Sequence, residues 1–341
     1  MWVMGFHLDA FFLPQAALYL FVPFFSHAYL AVDLFFLISG FVICHAYGAA
    51  LSTDRRSNWK EFAIKRFARL YPLFALTTLV MVIIHIVSDV PLKSNVDLSA
   101  RALLLNFSML HSTNSSLSWN YPGWSIGTES FAYAFFVFAA APLIKRQTRY
   151  VPITLCFLAL TGLCAINKGQ LDAPFGVGAL IRTIAEFTIG VWLYNVSQMR
   201  IATARWPAIT IIVLCLLGQR LTHWDVFVVG MFLGVMLIAI HPNRMLASAL
   251  NSRPLLALGA WSYSIYLFHA PMHYLLKVLL IHYGYSPEAL SPVIARWGIL
   301  ATMIAVVGLS AMTYRYVEVP ARRWIIRCWS GDSRSPIAQS V

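Results

Sequence analysis

The chain has 341 residues, of which 60% are hydrophobic and only 11% are charged. Soluble domains carry about 25% charged residues, so this composition excludes a soluble globular protein and predicts an all-α, polytopic integral membrane helix bundle. The net charge of +12 does not indicate a nucleic-acid partner, because the basic residues lie in short stretches between apolar spans, as in a membrane protein with cytoplasmic loops.

The chain begins with a short apolar segment, residues 1–13. It is too short to cross a hydrocarbon core of about 30 Å, and it lacks the charged region and cleavage site of a signal peptide. We expect it to be the second half of a truncated first helix, with Met1 an internal methionine taken as the start. His7 lies here, two residues before Asp9. An imidazole titrates near neutrality, so His7 is either a general base or an interfacial histidine that hydrogen-bonds a neighbour.

Nine further apolar stretches follow, which brings the prediction to about ten transmembrane helices. They cover residues 30–51, 70–88, 124–144, 151–167, 176–195, 207–222, 224–241, 254–282 and 293–315. The connections that hold 18 of the 25 Lys and Arg residues are 52–69, 145–150, 196–206, 242–253 and the tail from 315. The positive-inside rule therefore places these connections and both termini in the cytoplasm. We expect one transmembrane domain over residues 1–327 and a disordered cytoplasmic tail over 328–341.

A basic stretch ends in Arg66 and Arg69, and Tyr71 and Pro72 open the next apolar span. Residues three apart share a helix face, so both guanidinium groups can point at one spot. A fork-shaped, permanently charged donor suits a phosphate-bearing ligand. The alternative is that both arginines anchor the helix among lipid headgroups.

Ionisable side chains inside apolar spans are costly, so each is a candidate functional residue. They are Asp33, Glu129, Arg182, Glu186, His269 and Lys277. Glu129 requires a partner, for which we expect an arginine or a histidine, and Tyr133 lies one turn further on. Arg182 and Glu186 are four residues apart and are expected to pair with each other.

The stretch 261–271 is polar and aromatic where a lipid-facing helix would be aliphatic. Ser262, Tyr266 and His269 are spaced to share one stripe, which is expected to face the bundle interior. Further on, Glu318 precedes Arg322 and Arg323, and an ion-pair cluster at the membrane surface is expected there. The sequence contains no GxSxG elbow, P-loop, HExxH or DxD-like pair, which argues against common hydrolases, NTPases, zinc proteases and metal-dependent glycosyltransferases.

Five stretches, in order and covering essentially the whole chain, together resemble the membrane-bound acyltransferase family 3. This family comprises bacterial O-acyltransferases of lipopolysaccharide, exopolysaccharide, Nod factors and macrolides. The stretches are AVDLFFLISGFVI from Ala31, RFARLYP from Arg66, WSIGTE from Trp124 with Tyr133, WSYSIYLFHAP from Trp261, and YVEVP from Tyr316.

The resemblance implies roles for individual residues. The family's first helix carries an arginine, ten residues and a catalytic histidine, which His7 matches; the arginine would fall four positions before Met1. Arg66 and Arg69 match the arginine pair associated with the acyl-CoA donor. We expect Glu129 to be a second catalytic residue, whose carboxylate orients a histidine or an arginine inside the bundle. A supporting polar cavity is expected from Ser39, Tyr71, Trp124, Ser125, Tyr133, Ser262, Tyr266, His269 and Glu318.

We therefore expect an O-acyltransferase of the bacterial inner membrane that uses acyl-CoA, with acetyl as the first choice of acyl group. The acceptor would be a hydroxyl of a cell-envelope or secreted glycan, or of a lipid-linked saccharide. No permanently bound cofactor and no metal are expected. Two alternatives stay open at this point: an exporter of a glycan or small molecule that uses the intramembrane charges for coupling, and an inactive, truncated relative.

Overall fold

The computed structural model describes residues 1–9, 23–88, 96–113, 116, 118–144, 150–198, 205–240 and 242–330. Within these ranges the chain consists of helices and connecting segments, and no β-strand is present. The α-helices are α1 (Trp2–His7), α2 (Ala31–Thr53), α3 (Arg55–Val87), α4 (Ala100–Phe107), α5 (Trp124–Ile144), α6 (Tyr150–Ile166), α7 (Gly176–Ser197), α8 (Arg205–Thr222), α9 (Val226–Ile240), α10 (Arg244–Leu250), α11 (Arg253–His282), α12 (Pro292–Thr313) and α13 (Val319–Ser330).

Five helical segments in the described ranges are long and apolar enough to cross a membrane. They are His27–Thr53, Arg55–Val87, Gly176–Ser197, Arg253–His282 and Pro292–Trp329. The pair α9 and α10, bent by 102°, makes a sixth if it forms one span. The all-α membrane bundle is thus confirmed, whereas the count of about ten spans stays a prediction.

The structure corrects two predicted connections. Residues 55–69 were expected to connect two spans, but they form the first turns of α3, which continues through Pro72 to Val87. The carboxylate of Asp54 accepts a hydrogen bond from the Ser57 backbone N–H at 3.2 Å and so caps this helix. At the other end, α12 passes through a π-helical turn, Tyr314–Glu318, into α13, which ends at Ser330. The rest of the predicted tail, residues 331–341, lies outside the described residues.

Helices α2 and α7 cross at the centre of the bundle with their backbones in contact. A Cβ atom built on Gly40 would lie 2.0 Å from the carbonyl oxygen of Phe187, and one on Gly190 would lie 2.1 Å from that of Leu37. Only glycine allows this approach, which is the small-residue packing typical of membrane helices. The crossing brings polar side chains of α2 within reach of α5 and α7.

The segment before α5 folds back against the bundle. The ring of His111 stacks on Phe74 of α3 at 5.4 Å, and its Nε2–H donates to the carbonyl of Gly123 at 2.9 Å. Gly127 leaves room for this segment, because a Cβ there would lie 2.1 Å from Ser112 Oγ. The segment thereby holds the start of α5 beside α11, where the site described next is found.

Candidate active site

His7 and His269, 262 positions apart in sequence, meet in the structure. Nδ1 of His7 lies 3.0 Å from Nε2 of His269, and the two rings are within 3° of parallel. His7 is partly exposed, whereas His269 is fully buried. The ring of Tyr121 meets both imidazoles edge-on, at 4.9 Å and 5.7 Å between centroids. The structure therefore assembles two of the predicted site residues into one histidine pair.

Tyr266 holds His269 and links it to α5. Nδ1 of His269 lies 2.5 Å from the backbone carbonyl of Tyr266. The hydroxyl of Tyr266 donates to the carbonyl of Pro122 at 2.8 Å and accepts from Ser125 Oγ at 2.9 Å. Tyr266 and Ser125, both predicted for the polar cavity, thus support the histidine pair directly.

Asn120 is a supporting residue that the sequence prediction missed. Pro271 lies inside α11 and has no N–H to give to the carbonyl of Leu267, four residues earlier. Nδ2 of Asn120, a fully buried side chain, donates to that carbonyl at 3.0 Å. The signal for such a donor was Pro271 itself, because a proline in a buried helix frees a carbonyl that requires another partner. Next to it, the hydroxyl of Tyr121 lies 3.2 Å from Nδ1 of His273.

Glu129 is bound by hydroxyl groups. Its Oε1 accepts hydrogen bonds from Ser39 Oγ at 2.7 Å and from the hydroxyl of Tyr133. The prediction of an arginine or histidine partner is therefore wrong at the level of hydrogen bonds, since these two hydroxyls take that place. Within the described residues, the buried Oε2 has no hydrogen-bond partner.

A polar stripe along α5 connects these groups. Ser125, Glu129 and Tyr133 follow one another at intervals of four residues, which places them on one helix face over roughly 12 Å. At one end Ser125 contacts Tyr266 beside the histidine pair. At the other end Tyr133 lines a cavity. The stripe is thus a continuous polar edge between the cavity and the histidines.

The cavity has a volume of about 650 Å³ and runs along α3 and α5. Its basic residues are Arg55, Arg56 and Arg66, and apolar and aromatic side chains form most of the remaining wall. Arg66 also donates to the hydroxyl of Tyr47 at 3.3 Å. Arg69, the other predicted donor residue, is not on this wall. The sequence signal for Arg55 was its distance of eleven residues from Arg66, which is almost exactly three helical turns.

The comparisons with known proteins identify the family of the chain. A family model described as an acyltransferase domain, that of acyltransferase family 3, matches residues 1–315. The chain belongs to this family. The resemblance noted in the sequence is therefore confirmed.

Two curated relatives of the acyltransferase domain are named for O-acetyl transfer. The "Putative peptidoglycan O-acetyltransferase YrhL" of Bacillus subtilis (strain 168) is 26% identical, over 89% of this chain and 52% of its own length. The "O-acetyltransferase OatA" of Staphylococcus aureus (strain NCTC 8325 / PS 47) is 22% identical, over 87% of this chain and 53% of its own length. The chain thus spans about half the length of these relatives. The "Protein 2 in picA locus" of Rhizobium radiobacter is 51% identical over 16% of this chain and 29% of its own length. No solved structure matches the chain at a significant level.

Beside the α5 stripe, Arg182 forms two buried ion pairs, the predicted one with Glu186 and a closer one with Asp33. Its guanidinium donates through Nε and Nη2 to both carboxylate oxygens of Asp33, at 2.7 Å and 2.5 Å. The expected partner, Glu186, lies 3.8 Å away. Asp33 is the closer partner because both of its carboxylate oxygens accept hydrogen bonds from the planar guanidinium group. The cation also lies over the ring of Trp124, at 5.4 Å.

Three residues predicted for the polar cavity are placed differently. Ser262 is exposed and donates to its own helix at Gly259, while Ser264 is buried and donates to Glu318 at 2.9 Å. Glu318 is almost fully buried, and none of the ion pairs among the described residues includes it, so the expected ion-pair cluster does not form at this residue. Tyr71 stacks on Phe67 at 4.5 Å and is absent from the cavity wall. Lys277 is partly exposed. In the part of the chain that the structure describes, no group of three or more His, Cys, Asp or Glu side chains could hold a metal ion.

Proposed function

We propose that this protein is an integral membrane O-acyltransferase that moves an acetyl group from acetyl-CoA to a hydroxyl of a cell-wall glycan. The observation that carries the proposal is the histidine pair, His7 and His269, at one end of a polar stripe whose other end meets a basic cavity. Family membership supports acyl transfer. The name of the Bacillus subtilis relative favours a peptidoglycan-type acceptor over lipopolysaccharide or exopolysaccharide.

The cavity suits the donor. Coenzyme A carries phosphate groups, and three arginines around one opening provide fork-shaped cationic donors for them. Trp59, also on the wall, offers a flat face to the adenine base. With the phosphates at the arginines, the thioester would extend towards Tyr133 and the α5 stripe. Arg69 would act from outside the wall through its charge, which reaches both Glu129 and Glu318.

His7 supplies the base. Its imidazole takes the proton of the acceptor hydroxyl while the hydroxyl oxygen attacks the thioester carbonyl carbon. The carbon–sulfur bond breaks, the ester forms, and the coenzyme A thiolate leaves. The proton held on His7 then passes to the thiolate, so that free coenzyme A and neutral His7 are regenerated. Transient acylation of His7 is a second route to the same products.

The proposed location and orientation in the membrane rest on the distribution of Lys and Arg. The basic connections lie on one side of the predicted spans, so the arginine end of the cavity would face the cytoplasm of a bacterial inner membrane, where acyl-CoA is made. The end of α13 would lie on that side. The histidine pair would then receive the glycan from the opposite side, and the acetyl group would cross within the protein.

The proposal is tested with the full chain purified into proteoliposomes and supplied with radiolabelled acetyl-CoA and a peptidoglycan fragment. We expect labelled ester on the glycan, its loss in His7→Ala, and its retention in His282→Ala, a histidine at the exposed end of α11. Folded protein that never releases label from coenzyme A contradicts the proposal. An O-antigen oligosaccharide, offered in parallel, reports the acceptor class.

A further inference from the structure

The hydrogen bonds around His269 fix where its proton lies. Nδ1 is 2.5 Å from the backbone oxygen of Tyr266. A carbonyl oxygen can only accept a hydrogen bond, so Nδ1 must carry the hydrogen. In neutral imidazole the other ring nitrogen then holds a lone pair. Nε2 of His269 is therefore an acceptor.

The position of the proton on His269 determines the position of the proton on His7. The acceptor Nε2 of His269 lies 3.0 Å from Nδ1 of His7. The rings are within 3° of parallel and their centroids are 5.2 Å apart, so both nitrogens lie close to the line that joins the ring centres, and the contact lies in the ring planes, where the lone pair points. Nδ1 of His7 must then be the donor, so neutral His7 carries its proton there. Its basic lone pair is left on Nε2, and His7 is the partly exposed member of the pair.

The surroundings keep His269 in this orientation. The Tyr266 hydroxyl is tied to Pro122 and Ser125, and Asn120 binds the carbonyl that Pro271 frees in the same helix turn. These three bonds fasten α11 to the segment before α5 and to the first turn of α5. A carbonyl group thus orients one imidazole, which orients the next, as a carboxylate does in other catalytic chains.

We propose that His269 is a positioning residue that holds His7 in the Nδ1–H form and presents Nε2 as the reacting nitrogen. The inference rests on the proposed function. Besides Tyr266, the titratable side chains in ring contact with the pair are Tyr121 from the segment before α5 and His273 from α11. Neither Tyr121 nor His273 contributes the carbonyl on which the assignment depends.

The first test needs no activity. The full chain, labelled with nitrogen-15 in its histidine rings, is measured by solid-state NMR in lipid, and the His7 signals are assigned by their loss in His7→Ala. We expect His7 to be protonated at Nδ1 and His269 at Nδ1. A His7 proton on Nε2 overturns the proposal, whatever the protein catalyses.

The second test uses a pair of variants. His269→Leu removes the acceptor, and we expect kcat to fall by about 10- to 100-fold, with the KM for acetyl-CoA unchanged. His269→Gln can still offer an oxygen to Nδ1 of His7, and we expect it to recover at least half of that loss on a logarithmic scale. A His269→Leu protein with wild-type kcat, or a folded His269→Gln protein as slow as His269→Leu, overturns the proposal. Absence of transfer by the wild type, in contrast, contradicts the proposed function alone.

Discussion

Arg182 donates two hydrogen bonds to Asp33, and this pair joins α7 to α2 between one and two helical turns before the glycine contacts of the two helices. Glu186 lies near the same guanidinium without a hydrogen bond to it in the described residues. One cation therefore faces two buried carboxylates. Removal of Arg182 is therefore expected to reduce stability more than removal of either acid.

Arg182→Met is expected to destabilise the protein by about 3–5 kcal/mol, because it leaves two buried carboxylates without a counter-charge. Asp33→Asn should cost less, since Glu186 remains 3.8 Å from the guanidinium. Unfolding in mixed detergent micelles measures both. Equal losses, or a larger loss in Asp33→Asn, would contradict the view that Glu186 is a second partner of Arg182.

Gly40→Ala is expected to lower the free energy of unfolding by about 1–3 kcal/mol. The added Cβ would overlap the carbonyl oxygen of Phe187 and push α7 away from α2. Gly259→Ala is the matched control, because nothing lies within 4 Å of its Cβ position. There the change should be neutral or stabilising by up to about 1 kcal/mol. A Gly40→Ala protein as stable as the control would show that α2 and α7 are not in backbone contact.

Asn120→Ala should cost about 1–3 kcal/mol by leaving the buried carbonyl of Leu267 without its donor. Pro271→Ala restores an N–H at the position that a regular helix would use. We therefore expect Pro271→Ala to be less harmful, or beneficial, in the Asn120→Ala background. The wild type, the two single variants and the double variant form a double-mutant cycle. A coupling energy of zero would show that the backbone N–H restored at position 271 does not replace the side-chain donor of Asn120.

Stability should also depend on pH through His111. Burial lowers the pKa of His111 from 6.5 to about 4. Between these values the unfolded chain binds a proton that the folded chain does not, so stability is complete above pH 6.5 and falls as the pH drops towards 4. The loss from this residue is roughly 3 kcal/mol. His111→Gln can keep a donor for the Gly123 carbonyl, and it should flatten the unfolding midpoint over this pH range. An unchanged slope in His111→Gln would assign the effect to other groups.

Arg66→Gln is expected to raise the KM for acetyl-CoA by about 10-fold or more, the value of one charge-assisted hydrogen bond. Arg55→Gln should act in the same direction, since Arg55 lines the same cavity. Arg253→Gln, an exposed arginine at the start of α11 outside the cavity wall, is the control. If Arg69→Gln raises KM more than Arg66→Gln, the donor does not lie in this cavity.

The sequence predicted the residues and helices of the site better than the contacts between them. Apolar periodicity placed α2, α5 and α7 within two residues of their ends, and the resemblance selected His7. Neither could reveal that His7 meets His269, because local patterns carry no information on which distant helices pack together. Local spacing correctly predicted the ion pair of Arg182 with Glu186, but it could not reveal that Asp33, on another helix, binds the same guanidinium more closely.

Charge was a poor guide to helix boundaries. The density of basic residues suggested a connection over 52–69, yet residues 55–69 contain no glycine, follow the Asp54 cap and are helical throughout. Similarly, the sequence alone does not show which of Ser262 and Ser264 faces the bundle interior. Only the position of Glu318 in the π-helical turn decides that Ser264 is the buried partner.

The unbroken course of α3 has a mechanical consequence. Its 33 residues make a rod of roughly 50 Å, about 20 Å longer than the hydrocarbon core of a bilayer. A rod of that length projects from the lipid unless it tilts strongly, and the end that bears Arg55 and Arg56 is its most polar part. In the proposed reaction, the nucleotide part of acetyl-CoA would dock in water against this pre-formed helix end, and only the arm that carries the thioester would enter the membrane interior.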